Sequence, residues 1–262
     1  MDIKRWLSAL LGFPFIAALL IFGNKYVVDV ACTIFAFIAL NEYFNCFKGK
    51  AKPIVEIGYL SVLPIAFMHV ANPKIWLVFL PIIIVLMFLK VILTKMKVNI
   101  NDLAITLLGI MYIVGSISFI SIINGLENGK LLIWYIFFAA WGTDIFAYLV
   151  GKTIGKHKIS PISPKKSWEG CIGGIIGALV VILIYTVFVN QTYNLDISYF
   201  YIALVAIILS IIGQIGDFAA STIKRYAGVK DFSNLIPGHG GILDRMDSIM
   251  FVAPFVYLFL VL

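Results

Sequence analysis

Residues 170–190 read GCIGGIIGALVVILIYTVFVN, twenty-one positions without a charged side chain. The apolar residues run on continuously instead of alternating, which argues against a half-buried strand and for a helix. At 1.5 Å per residue such a helix is roughly 30 Å long, the thickness of a bilayer's hydrocarbon core. Lipid offers no partner to peptide groups, so a crossing segment must satisfy its own backbone hydrogen bonds, as a helix does. Gly170, Gly173, Gly174 and Gly177 give overlapping small-xxx-small spacings at the start of the run, a pattern that lets a neighbouring helix approach closely.

Comparable runs lie near 7–23, 26–44, 53–71, 75–94, 103–123, 131–150, 198–219 and 243–262. Composition agrees: 62% of the 262 residues are hydrophobic and 13% charged, where an average soluble domain carries roughly 25% charge. The expected fold is therefore all-α, a polytopic integral membrane protein with about nine transmembrane helices. The start, Lys4 and Arg5 before an apolar stretch, resembles a signal sequence, but Phe22-Gly23-Asn24-Lys25 has no small-residue cleavage pattern, so it reads as a retained first helix.

Orientation follows from Lys and Arg, which gather in short cytoplasmic loops. With the N-terminus inside, seventeen of the twenty fall in inside segments and only Lys25, Lys74 and Lys130 outside. The N-terminus is thus expected to be cytoplasmic. The net charge of +7 sits in juxtamembrane loops, where anionic headgroups attract each cation by about 1 kcal/mol, so no nucleic-acid partner is expected. Cys32, Cys46 and Cys171 are odd in number and lie in or beside apolar runs, which reads as reduced packing residues; any metal must then use oxygen ligands.

Residues 1–130 read as transmembrane helices without chemical motifs, and 131–262 as helices plus two cytoplasmic loops, 151–169 and 221–247, that form the catalytic site. Three constellations stand out there. Asp144 and Tyr148 are spaced i, i+4 on one helix face, and an acid in an apolar span costs about 2.5–3.5 kcal/mol at mid-membrane. The loop Ser163-Pro164-Lys165-Lys166-Ser167-Trp168-Glu169-Gly170 offers lysines and hydroxyls suited to phosphate, although topology and headgroup contact alone account equally well for its charge. No Walker-type pattern accompanies it.

The third constellation is the richest. Asp217, Ser221 and Lys224 fall at i, i+4 and i+7, while Asp244 and Asp247 are one turn apart at the mouth of the last helix. Between them lie Lys230, Asp231 and Gly238-His239-Gly240-Gly241. Converging carboxylates repel one another unless neutralised, and Mg²⁺ suits one or two carboxylates plus substrate phosphates. Lys224, Arg225, Lys230 and Arg245 add cations for phosphate charge. Metal and cations around phosphorus are what nucleotidyl transfer needs.

Ser221, Lys224, Arg225, Lys230, Asp231, His239, Gly240, Gly241, Asp244, Arg245 and Asp247 together resemble the signature of the phosphatidate cytidylyltransferases (CDP-diacylglycerol synthases). The 163–170 loop and the Asp144–Tyr148 helix end are similar too, with Ser167 where Thr is more usual in that family. The resemblance implies Mg²⁺ dependence and attack of a phosphatidate oxygen on the α-phosphorus of CTP, with loss of pyrophosphate. It implies Asp217 and Asp244 as metal ligands with Asp247 assisting, and Ser221, Lys224, Arg225 and Lys166 on phosphate. His239 becomes a positioning residue of the catalytic set, and Asp144, Tyr148, Lys165, Lys166, Ser167, Lys230, Gly240, Gly241 and Arg245 substrate-binding residues. CTP, phosphatidic acid and membrane lipids are the implied partners, a homodimer is among the expected assemblies, and the membrane is expected to be a bacterial plasma membrane with the site facing the cytoplasm.

Two other readings compete. A CTP-dependent kinase of a lipid alcohol such as a polyprenol resembles the family distantly and would release CDP. A transporter would scatter its charges near the midplane and repeat broken segments, and neither pattern is found.

Overall fold

Short polar caps mark where the helices begin. In the computed structural model, which describes residues 14–70, 75–236, 238 and 240–261, Asn24 caps the N-terminus of a long helix by accepting from Val27 N at 2.9 Å. Asn99 and Asp102 form a reciprocal capping box, and the Ser167 hydroxyl accepts from Gly170 N at 3.2 Å. In chain order the helices are α1 (14–22), α2 (Lys25–Cys46), α3 (Val55–Leu60), α4 (Leu63–Ala66), α5 (Ile75–Leu93), α6 (Ile100–Gly109), α7 (Ser116–Asn124), α8 (Gly129–Thr153), α9 (Trp168–Tyr193), α10 (Tyr199–Ala227) and α11 (Leu243–Leu260). A π-helical turn, Ile110–Gly115, joins α6 to α7. The described residues contain no strand, only isolated bridges at Lys158–Ser167 and Ile236–Gly240.

The described residues are all-helical in their regular structure, and among them five helical stretches are long and apolar enough to cross a membrane: Lys25–Cys46, Ile100–Asn124, Gly129–Thr153, Trp168–Tyr193 and Tyr199–Ala227. Residues 7–13 of the first expected helix lie outside the described residues. The span expected over 53–71 is not one helix. It breaks between α3 and α4, where Pro64 stands in the first turn of α4. Pro64 has no N–H for the Leu60 carbonyl four residues back, and its ring crowds that carbonyl, so the first helix stops there.

Two compact units divide the chain: residues 1–127 with 226–245, and residues 128–225 with 246–262. In the first unit α2 is central. Tyr43 on α2 donates its hydroxyl to the Ile105 carbonyl at 3.1 Å, and Gly109 and Gly58 leave room for the Tyr43 and Phe44 rings. Asp29, fully buried on α2, receives a hydrogen bond from Ser121 on α7, and His69 Nδ1 lies 2.9 and 2.8 Å from its two carboxylate oxygens.

In the second unit α8 and α9 pack tightly along the glycine seam. A Cβ on Gly177 would sit 2.1 Å from a Phe146 ring carbon, one on Gly173 2.5 Å from Val150, and one on Gly174 2.9 Å from the Thr143 carbonyl. Thr143 on α8 donates to Ser210 on α10 at 2.7 Å, and Gln214 on α10 donates to the Cys171 carbonyl of α9 at 3.2 Å. At Gly216 a Cβ would meet the Asp247 carbonyl at 2.9 Å, so α10 and the start of α11 touch backbone to backbone there.

Candidate functional site

The close crossing at Gly216 sets Asp217 beside Asp247. In this second unit Asp247 is 8% exposed, and Asp217, Asp144 and Lys224 all lie within electrostatic range of it. Asp144 Oδ2 is 3.4 Å from the Ser248 hydroxyl, so α8 reaches the first turns of α11 at this level. Lys166, from the loop before α9, places Nζ 2.5 Å from Asp217 Oδ2 and 4.2 Å above the Phe218 ring. Three helices and one loop thus place Asp144, Asp217, Lys224 and, through Asp217, Lys166 in the surroundings of Asp247. Ser221 and Lys224 are half-buried on the same stripe of α10 as Asp217, and Arg225 is exposed at its end.

Other residues of the loop before α9 play visible structural parts. Ser167, 2% exposed, spends its hydroxyl on capping α9, and the exposed Glu169–His157 contact, 2.6 Å, closes the loop on itself. Lys165 is exposed, as is Tyr148, whose ring carries Lys152 Nζ at 5.7 Å. The shared helix face of Asp144 and Tyr148 therefore does not bring Tyr148 to the carboxylates by any described contact.

In the first unit the segment between α10 and α11 is shaped by two buried carboxylates. Asp244 Oδ2 accepts from Phe232 N at 2.9 Å and Gly241 N at 3.0 Å. Glu42 on α2, 3% exposed, accepts from Ser233 Oγ at 2.6 Å, Ile242 N at 3.0 Å and Leu243 N at 2.8 Å. Gly240 has φ +81°, a left-handed conformation that a side chain would strain. Lys230 and Arg245 are exposed; His239 and Pro237 lie outside the described residues.

Glu42 belongs to none of the three sequence constellations. Its signal was available, an acid inside the apolar run 26–44, which carries the same insertion cost that singled out Asp144.

Among the described residues no three His, Cys, Asp or Glu side chains are grouped to hold a metal ion. The donor set still fits Mg²⁺ in one mode, in which one or two carboxylates bind it and substrate phosphates complete its shell; an all-protein cage is not what these residues offer. Lys166 pairs with one of these carboxylates, Asp217.

A family model described as the cytidylyltransferase family matches residues 3–262. The chain belongs to the cytidylyltransferase family. Among relatives, a phosphatidate cytidylyltransferase of Staphylococcus haemolyticus is 36% identical over 262 residues, covering 98% of each chain. That of Staphylococcus aureus strain COL is 35% identical over 264 residues, again 98% of each. The phosphatidate cytidylyltransferase of Bacillus subtilis strain 168 is 47% identical over 145 residues, 55% of this chain and 52% of the relative.

Proposed function

We propose that the chain is a phosphatidate cytidylyltransferase, which transfers CMP from CTP to phosphatidic acid to give CDP-diacylglycerol and pyrophosphate. The observation that carries this reading is the cluster of Asp144, Asp217 and Asp247 with Lys166 and Lys224, in a chain whose near-full-length relatives bear that name.

Phosphatidate already offers an anionic oxygen, so no protein nucleophile is required. That oxygen forms a bond to the α-phosphorus of CTP as the bond to the pyrophosphate oxygen breaks. Ser221, Lys224 and Arg225, spaced along α10, hold phosphate oxygens, and Lys166 moves between its Asp217 partner and phosphate charge. Lys230, Gly240 and Gly241 bind phosphate from the loop before α11 and Arg245 from its first turn, with Lys165, Ser167, Asp144 and Tyr148 also assigned to substrate and His239 to positioning. Asp217 and Asp244, with Asp247 assisting, would hold Mg²⁺, which when bound would neutralise charge on the phosphates. The finer membrane reading belongs here too: about nine crossings, a cytoplasmic N-terminus, a bacterial plasma membrane with the site on its cytoplasmic side, residues 131–262 as the catalytic part, and a homodimer. The Lys and Arg distribution supports the orientation.

The test is an assay of the purified protein in detergent micelles with phosphatidic acid, Mg²⁺ and CTP, following pyrophosphate and CDP together. Pyrophosphate is expected. CDP formed only with a lipid alcohol would replace the reading with the kinase.

A further inference from the structure

Glu42 lies about two hundred residues from the motif it touches. Its carboxylate is buried within an apolar helix, an arrangement that costs free energy unless the group is fully hydrogen-bonded. It is well supplied. Oε1 accepts from the Ser233 hydroxyl and Ile242 N, and Oε2 from Leu243 N. Ile242 and Leu243 open α11, so the carboxylate also faces the positive end of that helix.

The packing is close as well, because a Cβ on Gly241 would sit 2.5 Å from Glu42 Oε2, so a larger residue there would have to displace the carboxylate from the donors it serves. Five and eight residues beyond Glu42, just past the end of α2, two further side chains hold the far side of the segment. Phe47 packs against Tyr226 with ring centroids 6.2 Å apart, and Lys50 Nζ donates to the Tyr226 carbonyl. The C-terminal end of α2 therefore grips both ends of the segment that carries Lys230, Gly240 and Gly241 and leads into Asp244.

We propose that Glu42 is a positioning residue of the cytidylyltransferase reaction: it fixes where α11 begins, and with it the placing of Gly241, Asp244 and Arg245. This role rests on the function proposed above. Glu42 touches no reacting atom; it acts through the backbone of the segment it holds.

The experiment compares wild type, Glu42→Gln and Ser233→Ala in detergent micelles by two readouts: amide hydrogen exchange at residues 241–243, and kcat and KM for CTP and phosphatidic acid. Gln keeps the side-chain volume but turns an NH₂ toward donors, so a role in packing alone would leave it unharmed. In Glu42→Gln the three amides are expected to exchange about tenfold faster or more, while amides of α8 and α9 do not change. Its kcat is expected to fall by about 30-fold or more with KM values within about threefold, the pattern of an interaction that matters in the transition state. Ser233→Ala should move both readouts the same way by less, which keeps the test decisive if the Glu42 variant does not insert. Wild-type exchange at 241–243 would overturn the anchoring, and faster exchange with unchanged kcat would overturn the positioning role. A wild-type protein that consumes no CTP would instead refute the cytidylyltransferase reading and the catalytic half of this proposal, with exchange still deciding whether Glu42 holds the segment.

Discussion

Asp217 is the side chain on which the proposed chemistry turns, since it pairs with Lys166 and lies close to Asp247. Asp217→Asn keeps the shape and removes the charge. Turnover of CTP is expected to fall by about 100-fold or more, in the range found when one transition-state contact is lost, while the helical circular dichroism stays that of wild type. Activity near wild type would take Asp217 out of the site. Asp244 is a less clean target, because its Oδ2 binds Phe232 N and Gly241 N, so Asp244→Asn disturbs the segment as well as the charge. A different acid tests buried polarity alone. His69→Ala leaves the fully buried Asp29 short of a partner and is expected to lower stability by about 1–3 kcal/mol. In an Asp29→Asn background the same change should cost less; equal costs in thermal unfolding of both pairs would contradict a coupled pair. At this scale the sequence showed which acids lie in motifs, because spacing on a helix is local. It hid the Glu42 and Asp29 contacts, whose partners lie in distant segments that no periodicity connects.

Among the elements, α8 and α9 give the sharpest example of legible packing. Gly170, Gly173, Gly174 and Gly177 were readable as a close-contact stripe, and each faces backbone or side-chain atoms of α8 at distances no Cβ tolerates. Gly177→Val therefore must push Phe146 or the whole helix aside. A loss of about 1–3 kcal/mol is expected from such overpacking, read as a lower midpoint of thermal unfolding in detergent; an unchanged midpoint would mean the seam is looser than described. The break between α3 and α4 was harder to read. Hydropathy averages over a window and saw one apolar run at 53–71, whereas Pro64 acts at a single peptide group. The π turn at 110–115 shows the same limit, since it changes hydrogen-bond register without changing composition.

For the molecule as a whole, charge distribution supports the proposed orientation. A single cysteine placed at Lys130 in an otherwise cysteine-free chain is expected to react in intact cells with a membrane-impermeant maleimide, and one at Lys156 only after the membrane is opened. The reverse pattern would invert the topology. Fold class was legible because length, hydropathy and lipid together leave few alternatives, and the family was legible because eleven spaced residues from Ser221 to Asp247 are hard to assemble by chance. What was not legible is how two compact units divide the motif, with 226–245 joining the first and 246–262 the second. The central claim is that the cytidine and its α-phosphorus are what the chain passes to lipid. The most direct measurement supplies CTP labelled in one sample at the α-phosphorus and in another at the γ-phosphorus, with phosphatidic acid and Mg²⁺, and counts the label extracted into the lipid phase. Label in lipid from the α position and none from the γ position is the predicted result; γ label in lipid, or none from either, would contradict it.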